Sequence, residues 1–178
     1  QAIVDISNLA GQIFHNSYRD QPDLHPPDHP FPTLRPADLS SQPAGPEARI
    51  ALVIGNSQYT RNKPLNNPTN DAQAVSQLLN NAGFEVVMAF DLARDLMKQT
   101  VEEFAARANE KGKNTVVLVY YAGHGIEVDG TNYLVPADAR LASDFDVEDE
   151  TISLDRVLKA LDGAKRLKLV ILDACRDN

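Results

Sequence analysis

From residue 49 onward, short apolar, β-branched runs alternate with longer segments whose apolar positions recur at helical spacing. The runs at 50–54, 84–89, 115–121 and 167–172 predict four strands. Residues 71–81 and 93–110 predict helices, and 154–161 predicts a third, with Ser153 as its N-cap. Alternation of this kind predicts an α/β domain with a mostly parallel sheet, and right-handed crossovers place its helices on both faces. Asp129-Gly130, between apolar positions at 126–128 and 133–135, predicts a small hairpin. There are no internal repeats.

Upstream the pattern differs. Ile3, Ile6, Leu9, Ile13 and Phe14 recur at helical spacing, so residues 3–16 predict one amphipathic helix, marginal unless it docks on the domain or on a partner. Eight of the 11 prolines then fall between Pro22 and Pro46, in a stretch without a periodic apolar face. The chain divides into an amphipathic segment at 1–18, a Pro-rich linker at 19–48 and a domain at 49–178.

Composition narrows the classes. At 178 residues, 43% hydrophobic and 24% charged, the chain reads as a soluble protein of one domain and an appendage. A net charge of -8 argues against nucleic acid or an anionic membrane surface as partner and favours a basic polypeptide. There is no 18-residue apolar run to span a membrane. The chain begins at Gln1 without a Met, so an upstream piece has been removed or was never seen, and a lost signal peptide is one reading of it. The one cysteine, Cys175, excludes an internal disulfide and leaves either an inert core thiol or a reactive one.

Candidate chemistry lies where open parallel sheets collect it, past the carboxyl ends of strands. The third strand leads into Tyr121-Ala122-Gly123-His124-Gly125 and the fourth into Asp173-Ala174-Cys175-Arg176-Asp177. A thiol with an ordinary pKa of about 8.5 needs a base beside it to act as a nucleophile at neutral pH. His124 is the one histidine of the domain, and its flanking glycines permit a tight turn and close approach of a substrate backbone. Neighbouring strands lie about 5 Å apart, so the two segments can face each other as a Cys-His dyad. The backbone N–H groups of Gly125 and Cys175 would then receive an oxyanion. Taken singly, such a cysteine is more often a small buried hydrophobe and such a histidine a structural group. Spacing alone leaves these readings level with the dyad.

Tyr120-Tyr121-Ala122-Gly123-His124-Gly125 resembles the His motif of metacaspases and orthocaspases, and Asp173-Ala174-Cys175-Arg176-Asp177-Asn178 resembles their Cys motif. The 51 positions from 124 to 175 agree with the roughly 50-residue spacing of caspases. The resemblance covers residues 49–178, including the first strand and Asn70-Asp71-Ala72. It implies the caspase-haemoglobinase fold (its large-subunit portion) and cysteine endopeptidase activity without a cofactor, through a covalent acyl-enzyme at Cys175. It further implies zymogen processing and a C-terminal small-subunit portion as partner. As a bacterial protein of this kind it would be cytoplasmic, or periplasmic or secreted after loss of a signal peptide.

By the same resemblance Asp71 and Asp173 line the specificity pocket, and two carboxylates there favour Arg or Lys before the cut. A helix N-terminus and a strand end are the plainer roles for these two acids. Ala122 stands where metacaspases commonly have Ser, which puts the balance of Lys and Arg in doubt. Metacaspases often need calcium, and Asp144, Asp146, Glu148, Asp149 and Glu150 suit a hard cation; such a charge run is more often a solvated loop, and no metal ligand is assigned. Two other classes remain. A catalytically silent homologue acting as an interaction module would usually have lost the His or Cys, and a nucleotide-binding α/β protein would carry a Gly-rich loop where Gly55-Asn56-Ser57-Gln58-Tyr59 stands.

Overall fold

The computed structural model describes residues 2–5, 47–143, 146–163 and 166–176, with 2–5, 175 and 176 described by backbone alone. In chain order the elements are β1 (Ala2–Asp5), β2 (Ala48–Gly55), α1 (Pro68–Asn81), β3 (Glu85–Phe90), α2 (Arg94–Glu110), β4 (Thr115–Val128), β5 (Thr131–Leu134), α3 (Asp146–Glu150), β6 (Ile152–Ser153), α4 (Leu154–Ala160) and β7 (Leu167–Arg176). Among the described residues they form one seven-stranded sheet whose main path runs β1-β7-β4-β2-β3, all parallel. β5 joins the far end of β4 in antiparallel fashion and β6 extends it.

Strand alternation sorts the apolar residues onto two faces. Ile50, Leu52, Ile54, Val117, Val119, Tyr121 and Val170 meet α2 and α4 in the larger core. Ala51, Val53, Leu118, Tyr120 and Ala122 meet α1 through Ala72 in the smaller one. The predicted α/β sheet with helices on both faces is therefore present. The Asp129-Gly130 hairpin is also present, with positive φ at both residues (50° and 77°), as its tight turn requires. Ser153 caps α4 by accepting from the Arg156 N–H at 3.3 Å.

Three expectations need correction. Residues 2–5 form a strand, not the start of a helix; the rest of the helix expected at 3–16 lies outside the described residues. At this spot the open edge of β7 offers a full row of backbone partners, and parallel pairing satisfies Ala2–Asp5 more completely than a marginal helical turn would. The third and fourth predicted strands end too early. β4 runs seven residues beyond Tyr121 and β7 four beyond Leu172, because each keeps a hydrogen-bonded neighbour along this extension. Finally, α1 starts at Pro68 rather than Asp71: a first-turn proline lacks only an N–H that has no helical partner anyway.

Gly55, at the end of β2, lets the first turn of α1 press onto the sheet. A Cβ there would stand 2.7 Å from the Pro68 carbonyl oxygen and 2.9 Å from Ala72 Cβ. Gly55→Ala is expected to cost about 1–3 kcal/mol by forcing α1 off the sheet, read as a lower urea midpoint at unchanged slope.

Candidate active site

The site is set by register. Across β4 and β7, Ala122 pairs with Asp173 and His124 with Cys175; across β2 and β4, Gly55 pairs with Ala122. Gly55, Ala122 and Asp173 thus lie in one row across the sheet, and His124 and Cys175 in the row two positions further on. The two motifs, 51 positions apart in sequence, meet at neighbouring Cα positions.

His124 is 8% exposed and held on every side. Its N–H donates to the Tyr59 hydroxyl at 2.8 Å, and its carbonyl accepts from the Tyr121 hydroxyl at 2.8 Å and from the Val135 N–H at 3.1 Å. The Tyr121 hydroxyl is also 2.9 Å from the Val135 carbonyl oxygen. Burial raises the pKa of Tyr121 well above its ordinary value and that of Tyr59 less far, so both remain O–H groups. The Tyr59 ring packs on the imidazole with centroids 4.5 Å apart and planes 58° apart. The imidazole Nε2 lies 2.8 Å from the Lys63 carbonyl oxygen. A carbonyl has no proton to give, so Nε2 carries the proton of the neutral ring and Nδ1 is its accepting nitrogen.

The glycines beside His124 do not make the turn expected of them. Both lie within β4, and what they supply is room. A Cβ on Gly123 would be 2.6 Å from both tyrosine hydroxyls, and one on Gly125 would be 3.0 Å from Ala174 Cβ. Since the Val135 N–H bonds to the His124 carbonyl, antiparallel alternation turns the Gly125 N–H away from β5 and towards β7, the strand of Cys175.

Asp71 and Asp173 come together from separate elements. Asp71 is in the first turn of α1, over the Gly55-Ala122 row; that turn is tied down by Ser57, whose hydroxyl accepts from the Thr69 N–H at 3.1 Å. Asp173 Oδ2 accepts from the Tyr120 hydroxyl at 3.0 Å. Desolvation, and after it the charge of Asp173, raises the pKa of Asp71; burial and the same charge raise that of Tyr120. The arrangement brings two carboxylates together beside the small residues Gly55 and Ala122, which suits a cation. Tyr59, Lys63 and Tyr120 had no role in the sequence reading: one supplies a hydroxyl, one a backbone oxygen, and Tyr120 orients an acid two strand positions from Cys175.

The acidic run is engaged locally. Glu150 accepts from the Arg140 and Leu141 N–H groups, and Asp146 from the Ser143 hydroxyl. Among the described residues no group of three or more His, Cys, Asp or Glu is placed to hold a metal ion, and Asp144 lies outside them. No helix among them is long and apolar enough to cross a membrane.

A family model described as Caspase domain matches residues 48–178. Mucosa-associated lymphoid tissue lymphoma translocation protein 1 of Homo sapiens is 33% identical over 129 residues, which is 72% of this chain and 15% of that protein. Caspase-1 of Mus musculus is 28% identical over 130 residues (72% and 31%), and Paracaspase of Dictyostelium discoideum 26% over 132 (72% and 31%). The chain spans 15% to 31% of the length of these relatives.

The two carboxylates make a titration prediction. A carboxyl whose folded pKa exceeds its unfolded one withdraws stability as pH rises through its titration and has no effect below the unfolded value. Asp173→Asn keeps an acceptor for Tyr120 but removes the charge. In that variant Asp71 should titrate at a lower pH than in the parent, measured by carboxyl-carbon NMR; an unchanged midpoint would mean the two acids do not interact.

Proposed function

Because the chain belongs to the caspase-domain family of cysteine peptidases, we propose that it is a metacaspase-type endopeptidase that cuts polypeptides after Arg or Lys with Cys175 and His124. The observation that carries the reading is the β4/β7 register, which sets Cys175 opposite His124 and Asp173 one row before it, beneath Asp71.

In this mechanism His124 Nδ1 takes the proton of the Cys175 thiol. The thiolate attacks the scissile carbonyl carbon, forming a C–S bond while the carbonyl π pair moves to oxygen. The backbone N–H groups of Gly125 and Cys175 would hold that oxyanion once released from the β4/β7 ladder, in which Gly125 pairs with Arg176 and Cys175 with His124. Collapse breaks the C–N bond, and His124 hands its proton to the leaving amine. Water, deprotonated by His124, then cleaves the thioester and releases Cys175. Thiol, imidazole and backbone supply each step, so the proposed chemistry runs without a cofactor. The Lys63 carbonyl holds the ring by Nε2 throughout, and its bond strengthens when the imidazolium forms.

Asp71 and Asp173 would receive the guanidinium or ammonium of the residue before the cut. Their mutual repulsion would be relieved by a cation between them, so a neutral side chain gains less. Likeness to caspases is also the reason to expect a C-terminal small-subunit portion as partner.

The test is a panel of fluorogenic peptides that differ only in the residue before the scissile bond, run on the complete protein with and without calcium. Arg and Lys peptides should be cut far faster than Gln or Asp peptides; a preference for Asp or Asn would end the specificity reading. Cys175→Ala should abolish turnover, and His124→Ala should lower it at least about a hundredfold. Asp173→Ala should cost about 2–5 kcal/mol in kcat/KM for Arg peptides, more than the stability it loses by leaving the Tyr120 hydroxyl without its partner. Near-normal turnover in Cys175→Ala would remove the dyad itself.

A further inference from the structure

Beyond the recess for a basic side chain, a second cavity opens on the other side of His124. It has a volume of about 190 Å³ and is lined by Asn62, Lys63, His124 and Gly125 and by the apolar residues Ile126, Val135 and Leu141. Asp71, Tyr120 and Asp173 do not line it. One water takes about 30 Å³ in the liquid, so a side chain of several carbons can enter.

Strand parity places this cavity relative to the dyad. Ala122, His124 and Ile126 alternate onto one face of β4. Ala122 is level with Asp173 and His124 with Cys175. At about 3.3 Å per residue, the acidic recess lies about 6–7 Å before the dyad along the strand and Ile126 the same distance beyond it. Successive side chains of an extended substrate point to opposite sides. A basic side chain directed at Asp71 and Asp173 therefore turns the next residue towards Ile126, Val135 and Leu141. That next residue also bears the amine that His124 must protonate, so it has to lie against the wall this cavity shares with His124.

We propose that the cavity lined by Ile126, Val135 and Leu141 is a specificity pocket for the residue that follows the scissile bond, and that it selects an aliphatic side chain. This rests on the reading of His124 and Cys175 as the catalytic pair. The enzyme then reads a two-residue signature, basic then aliphatic, with the cut between them. Ile126 and Leu141 are the residues that set the second half of it. Both are partly buried beside Tyr59, Val135 and Ala139, so the wall is backed by packed side chains and is shaped before substrate arrives.

The experiment uses internally quenched peptides with Arg fixed before the cut and Leu, Val, Ala, Gly, Asp or Lys after it, on the complete protein. The Leu and Val peptides should exceed the Gly and Asp peptides in kcat/KM by roughly tenfold or more, the discrimination an apolar pocket of this size provides. Leu141→Trp, which fills the cavity, should reverse the order in favour of Gly and Ala. Ile126→Trp serves as the second variant should the first fail to fold. Equal rates across the series with Arg cleavage intact overturn the pocket alone, and so does a preference for Asp, which would mean that the Lys63 ammonium selects the residue. Absence of cleavage after Arg in every peptide overturns the catalytic reading, and the pocket with it.

Discussion

The parallel register of β4 and β7 is the constraint on which the remainder of the site depends. Side chains alternate along a strand, so slipping either strand by one position would send His124, or Asp173 and the position of Cys175, to the opposite face. The slip is prevented far from the site. Val117, Val119 and Tyr121 on β4 and Val170 on β7 are buried against α2 and α4, while Leu118 and Tyr120 are buried against α1. Large apolar residues at one end of each strand thus fix where small and polar ones fall at the other.

Past Tyr121 the sheet changes character. Around His124 hydroxyls join hydrophobic packing in holding β4: Tyr59 and Tyr121 occupy the space that the missing Cβ of Gly123 leaves and bind both backbone polar groups of His124. Asn56 extends the same network, donating to the Val135 carbonyl at 3.2 Å and accepting from the Leu92 N–H at 3.0 Å. A buried, satisfied set of polar contacts is a rigid support, because each group would lose a partner if the strand moved. The imidazole is therefore oriented by the backbone around it as much as by its own ring contacts.

Much of the scaffold was legible because its strands are continuous buried runs bounded by turn residues, which is what the middle of a parallel sheet looks like in sequence. Strand ends were not. Gly123, His124, Gly125, Ala174 and Cys175 have little intrinsic reason to be extended; neighbours impose it. The first turn of α1 escaped notice because Pro68, Thr69 and Asn70 add nothing to an apolar stripe. Ala2–Asp5 was misread since its apolar spacing suits a helix, whereas the deciding partner, β7, is more than 160 residues away. Of the candidate site, Asp71, His124, Asp173 and Cys175 stood out through motif and residue type, and the backbone brings Asp173, His124 and Cys175 into two adjacent rows with Asp71 in the helix turn over the first. The hydroxyl of Tyr59 and the carbonyl of Lys63 left no mark, since nothing in a sequence distinguishes one peptide oxygen from another.

That carbonyl has a further consequence. Where a histidine is steered by a carboxylate, acid can release it and one substitution can delete the steering group. A peptide oxygen has no proton to gain near neutral pH, and any residue at position 63 would present it. What determines the imidazole's orientation is thus the path of the segment from Asn56 to Asn67, kept in place by Asp91 accepting from the Ser57 and Gln58 N–H groups and by Asn62 donating to the Ala139 carbonyl. For holding the imidazole the residue type at position 63 is immaterial, whereas a single insertion or deletion between these anchors would unseat the histidine.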